Sequence, residues 1–309
     1  MPFRNSVMSD EALLTADRAY PREWFKNRYY TTGQVGACTF FLVFALALFR
    51  TIVHIRMKSK LERIAFHVAT SFAAALEFVY FLSFIVISNS DVYNPHLFKN
   101  FRVLHNFAVS LHLLCVLSIC QSWFKLRSTI REKEGRIRNI RPTSRCSDIS
   151  LLFSVFTIQF TLSCVFSFQV YSVKSYSELR NVLQGSLNVA FFTCNVVLIM
   201  LLAGMMLYSG ILLQKRMKVA TYLSVYELRK GIIQINFALG IILGCAILRI
   251  VVFLILTVKE FFVLKNGFYL GHVLLDTILP TSATLLAGLY LFRRKLARTN
   301  ASENLLEEM

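Results

Sequence analysis

The chain has 309 residues, 56% of them hydrophobic and 28 of them phenylalanine, with a formal net charge of +17. So apolar a composition excludes a disordered chain or an ordinary water-soluble domain and belongs to the membrane class. The basic excess needs no nucleic acid to explain it, because it is concentrated in short loops between apolar segments.

Residues 1–33 form an N-terminal tail in which Arg4, Arg18, Arg22, Lys26 and Arg28 are nearly balanced by Asp10, Glu11, Asp17 and Glu23. A short helix is expected from Ser9-Asp10-Glu11, where a side-chain oxygen can cap it. Trp24, Tyr29 and Tyr30 read as anchors at the membrane interface. The tail has no continuous apolar core of the signal-peptide kind, so the first span is expected to direct insertion. An apolar helix of ~20 residues crosses the hydrocarbon layer. Spans are expected over 34–55, 64–88, 103–124, 149–171, 182–213, 232–257 and 268–292, the fifth long enough to tilt or to project beyond the membrane. A tail, 293–309, follows. The expected fold class is all-α: a polytopic membrane protein whose residues 34–292 form a seven-transmembrane helix bundle.

Lysine and arginine orient it. The loops after spans one, three and five and the final tail hold 21 of these bases, against six (Lys99, Arg102, Lys174, Arg180, Lys259 and Lys265) in the opposite loops. The positive-inside rule then places the N-terminus outside, or in a lumen, and the C-terminus in the cytosol. The densest run, Arg127, Arg131, Lys133, Arg136, Arg138, Arg141 and Arg145, follows span three and is expected to continue that helix until Pro142 stops it. It reads as a topology signal touching the anionic cytosolic leaflet, or as a docking surface for a cytosolic partner. Ser144 and Ser147, close after arginines, are phosphorylation candidates that would weaken lipid contact. Tyr222-Leu223-Ser224-Val225 fits a tyrosine-based sorting signal.

Six cysteines (38, 115, 120, 164, 194, 245) fall within spans and Cys146 in the basic loop, so no disulfide framework is expected on the outer face. The sequon Asn300-Ala301-Ser302 lies on the expected cytosolic side.

Ionisable groups at membrane depth are costly and face the bundle interior. Glu77, Arg249 and Asp276 are the candidates for an intramembrane polar network. Arg249 and Asp276 each lie about eight residues from the outer ends of neighbouring spans, ~12 Å down, so an ion pair is expected between them with Glu77 as a third member. The trio reads as a brace between helices, or as a ligand counter-ion or proton-coupled switch. Pro280 is expected to kink span seven and to free the carbonyl of Asp276, four residues earlier. His105 and His112 share a face of span three but stand ~10 Å apart, too far for one metal ion, and are expected to be buried and hydrogen-bonded. Asn188, Asn195 and Asn236 are expected to hydrogen-bond between helices. The chain has no glycine-rich phosphate loop, no His-Glu-x-x-His, no Cys-x-x-Cys and no nucleophile elbow. No enzyme activity, cofactor or metal is expected.

Span seven, Gly267 to Lys295 with Asp276, Pro280 and Arg293-Arg294-Lys295, resembles the last helix of the tobamovirus multiplication protein family of plants and its animal orphan seven-helix relatives. Cys245-Ala-Ile-Leu-Arg249 is similar to that family's arginine-bearing sixth helix, and Arg63 to His67 resembles the start of its second. Aligned on Pro280 the family's acid falls at Thr277, and Glu77 stands where the family carries an arginine. The resemblance implies a non-rhodopsin protein of the endolysosomal or vacuolar membrane that recruits cytosolic regulators such as small GTPases. The other readings are a G-protein-coupled receptor or chemoreceptor at the plasma membrane, and a proton-coupled carrier using Glu77, Arg249 and Asp276. The sequence names no ligand.

Overall fold

The computed structural model describes residues 22–89, 95–138, 146–172, 186–219, 225–258, 270, 271 and 273–292. Among these residues there are only helices and short turns: α1 (Arg22–Arg56), α2 (Leu61–Asn89), α3 (Pro95–Arg138), α4 (Cys146–Ser172), α5 (Ser186–Val219), α6 (Val225–Val258), a π-helical turn Leu274–Ile278, and α7 (Leu279–Leu291). Six stretches are long and apolar enough to cross a membrane: Tyr29–Arg56, Leu61–Asn89, Val103–Leu126, Thr193–Lys218, Leu228–Val252 and Leu274–Leu291. The protein is a multi-pass helical membrane protein. α4, 27 residues long, occupies the place of the fourth expected span and packs against α3 and α5. The short helix expected near Ser9, the Tyr222 motif, Ser144 and the 293–309 tail lie outside the described residues.

The outward surface is what lipid requires. Leu42 (68% exposed), Phe49, Phe72, Phe168 (75%) and Ile247 all face outward, an apolar exterior that a water-soluble monomer avoids. The interior is close-packed around α3, whose Val116, Ile119, Cys120 and Trp123 meet Met206 and Leu213 of α5, Leu239 of α6 and Leu285 and Leu289 of α7.

α1 and α2 make a tight hairpin. α1 ends because Lys58 turns left-handed (φ 48°), and its N–H reaches the Ile55 carbonyl while Ser59 N–H reaches that of His54. This is the Schellman closure, here without the usual glycine. The Ser59 hydroxyl also bonds His54 Nδ1 at 2.9 Å. Higher up, the two helices approach so closely that any side chain at Gly36 would collide with the Phe81 ring, and one at Gly33 would meet the Phe81 carbonyl at 2.9 Å. Phe81 in turn stacks on Phe40 (5.6 Å, 8°) and has nowhere to retreat. Gly36→Val is therefore expected to cost about 1–3 kcal/mol of stability as overpacking. A mixed-micelle unfolding titration checks this, and an unchanged midpoint would mean the hairpin is looser than described.

Small polar groups tie α3, α4 and α5 together. Asn106 Nδ2 donates to Ser167 Oγ (3.3 Å), Ser110 and Ser163 hydroxyls meet at 2.8 Å, and Gln159 Nε2 reaches Asn195 Oδ1 at 2.5 Å. Each such bond contributes little inside a membrane, averaging about 0.6 kcal/mol, but together they fix which helix faces which.

Candidate functional site

The expected polar network exists in part, with different partners. Glu77 on α2 is 1% exposed, and its Oε2 lies 3.1 Å from Nδ1 of His105 on α3. The His105 ring stacks on Tyr80, one turn along α2 from Glu77, with centroids 4.4 Å apart. Glu77 is thus hydrogen-bonded to His105, while its charge, with that of Asp276, acts on Arg249 without a direct bond. Its other oxygen, Oε1, has no hydrogen-bond partner among the described residues. Depth counting pairs these two as well: Glu77 lies twelve residues before the end of α2 at Asn89, and His105 ten after the start of α3 at Pro95.

The ion pair expected between Arg249 and Asp276 does not form. Instead, Arg249 Nε donates to the backbone carbonyl of Asp276 at 3.0 Å, and Nη2 donates to Thr281 Oγ1 at 2.5 Å. The physical reason is the proline. Pro280 has no N–H to return to the carbonyl four residues back, so the Asp276 carbonyl is orphaned by the helix and taken by the guanidinium. The same defect is absorbed locally by a wider turn, with Leu279 N–H reaching the Leu274 carbonyl. Such π-turns concentrate at functional sites. Among the described residues the Asp276 carboxylate, partly buried, accepts only from the neighbouring Thr277 hydroxyl, at 3.4 Å.

His112, one heptad after His105 on α3, is buried at 5% exposure, but among the described residues both ring nitrogens lack partners, contrary to the hydrogen-bonded state expected. It lines a small cavity between α3, α5, α6 and α7, of about 30 Å³, together with Arg249, Cys245, Thr284 and Pro280. The Thr284 hydroxyl is committed to the Pro280 carbonyl at 2.7 Å.

The amides behave as expected where they are described. Asn195 bridges to Gln159, and Asn236 Oδ1 accepts from Gln214 on α5 at 2.6 Å; the side chain of Asn188 lies outside the described residues. Gln159 was not singled out from the sequence, although a lone amide in an apolar run was the available signal.

At the other end of the bundle, His54 and His67 rings stack at 4.5 Å, Phe66 stacks on Phe292 at 4.2 Å, and Lys125 bonds Glu62. The contacts that gather here, Lys125 with Glu62 and Gln214 with Asn236, bring the basic ends of α2, α3, α5 and α6 to one side. Of the expected docking surface, Arg127, Arg131, Lys133, Arg136 and Arg138 lie on the helical backbone of α3. Their side chains, with Arg141 and Arg145, fall outside the described residues.

No family model, curated protein or solved structure matches this chain.

Proposed function

We propose that this chain is a non-catalytic, receptor-like regulator that crosses the membrane seven times, with α4 as the seventh crossing. In this reading the N-terminus is outside or luminal and the C-terminus cytosolic. The basic end recruits a cytosolic regulatory protein, of the small GTPase or G-protein kind, to an endolysosomal or vacuolar membrane. The observation that carries it is the length of α3. This helix remains helical to Arg138, twelve residues past the end of its apolar stretch at Leu126. At 1.5 Å per residue that extends it ~18 Å beyond the hydrocarbon, a rigid post bearing Arg127, Arg131, Lys133, Arg136 and Arg138. A topology signal alone needs the charges but not the helix.

Charge removal tests it. Replacing Arg127, Arg131, Arg136 and Arg138 together by glutamine is expected to leave the unfolding midpoint unchanged while abolishing recruitment of the cytosolic partner to intact organelles. Retained recruitment would reduce the run to an orientation signal. Imaging a tagged copy checks the membrane: lysosomal or vacuolar residence supports this reading.

A second reading, a plasma-membrane receptor coupled to a G protein, is favoured by the cavity between α3, α5, α6 and α7, beside the proline-broken turn. Surface residence with ligand-dependent G-protein activation would establish it.

A further inference from the structure

We propose that the cavity between α3, α5, α6 and α7 is a binding site for one small anionic group, a halide or a carboxylate, held between the Arg249 guanidinium and the His112 imidazole. This concerns the bundle interior alone and stands apart from the recruitment of cytosolic partners.

Three observations converge on that chemistry. First, Arg249 bonds no carboxylate: among the described residues its hydrogen bonds go to a carbonyl and a hydroxyl, both neutral, while the charges of Asp276 and Glu77 act on it without bonding it. A guanidinium has five N–H donors, so at least two of them remain for a ligand. Second, His112 is buried with neither nitrogen bonded. A neutral imidazole always has one N–H to give, and an orphaned buried donor is rare enough to call for an occupant. Third, the walls beside these two groups are aliphatic: Leu113, Val116, Leu202 and Ile242. In such surroundings the attraction of an anion to a guanidinium is far less screened than in water.

Size and sign narrow the class. About 30 Å³ exceeds the roughly 10–15 Å³ that one water requires. It suits a chloride or a carboxylate head and excludes a nucleotide or a peptide. Arg249 repels a metal ion or an amine. Water fits the space too, but an anion is the stronger acceptor for the N–H groups that Arg249 has left over.

The test uses the full chain in nanodiscs, initially in a buffer free of halide and carboxylate (HEPES with sulfate), with thermal unfolding followed as chloride, acetate or decanoate is added. Wild type is expected to show a rise in Tm that follows a one-site saturation curve. Arg249→Gln removes the charge but also its bonds to the last helix and can unfold for that reason alone. Ala203→Leu is the second variant, because it fills the cavity from the α5 side while leaving Arg249 its bonds and His112 unchanged. It is expected to fold with a Tm in the starting buffer no lower than wild type and to lose at least tenfold in apparent anion affinity. Saturation by chloride and acetate identifies a free small anion; a response to decanoate alone identifies an acid carried on an acyl chain and reaching the site from lipid. Absence of any anion response in wild type, or an identical response in Ala203→Leu, overturns the proposal. If Ala203→Leu also fails to fold, chloride NMR line broadening by wild type, relieved by acetate, supports the site, and its absence overturns it.

Discussion

Replacing His105 by leucine is expected to lower bundle stability by about 3–5 kcal/mol, and adding Glu77→Leu in the same chain to restore most of the loss. Two magnitudes compete here. An ordinary hydrogen bond between membrane helices is worth about 0.6 kcal/mol on average, because the unfolded chain in lipid finds other partners. A buried carboxyl group stripped of its partner costs several times more, since nothing replaces the lost interaction. Glu77 belongs to the second case. It is 1% exposed, Oε1 already has no partner, and Oε2 depends on His105 Nδ1 at 3.1 Å. Leucine at position 105 would leave both oxygens orphaned in the core between α2 and α3. The double variant removes the polar group with its partner and leaves apolar side chains in an apolar setting, which is why it recovers. Unfolding in mixed micelles measures all three variants. A loss near 0.6 kcal/mol without recovery in the double variant would show that Glu77 finds another partner.

The helices were legible because the bilayer imposes their length. The expected span 103–124 is found as Val103–Leu126, and 232–257 as Leu228–Val252. The first helix begins earlier than its expected span, at Arg22, because the polar segment carrying Trp24 and Tyr29 continues the helix that the apolar run starts. Depth was legible too. Counting residues at 1.5 Å each put Arg249 level with Asp276, and the two are indeed in contact. What counting cannot supply is rotation about the helix axis, which decides whether a side chain or a carbonyl faces the neighbour. That is set by packing across the whole helix, and at this position by Pro280. For the same reason counting does not reveal the direct bond from Glu77 to His105, level with it on the next helix, and His105 reads from the sequence only as a buried histidine. The cavity beside His112 is still less accessible from sequence, since it is the space left where four helices fail to fill one another's grooves.

The bond from Arg249 to the Asp276 carbonyl yields a second large effect, with a sign that separates it from the ion pair expected from the sequence. Arg249→Leu is expected to cost about 1–3 kcal/mol, the penalty for a buried carbonyl left without a donor. The loss should shrink by about 1 kcal/mol when Pro280→Ala is present, because alanine restores the N–H that the helix can turn back toward the orphaned carbonyl. Thr281→Val should couple to Arg249→Leu by a similar amount, since its hydroxyl accepts from Nη2. Asp276→Leu, in contrast, removes a carboxylate that attracts Arg249 without bonding it and keeps the carbonyl that it does bond, so its coupling should be smaller than that of Pro280→Ala. The three cycles are read from unfolding midpoints in the same micelles. Were Arg249 coupled more strongly to the Asp276 side chain than to Pro280, the charge and not the broken backbone would be what joins α6 to the last helix. The proline would then be a bystander. If the order is as expected, the residue that interrupts the helix is also the one that creates the acceptor holding it, and any anion seated beside Arg249 would bear directly on the turn at Leu274–Ile278.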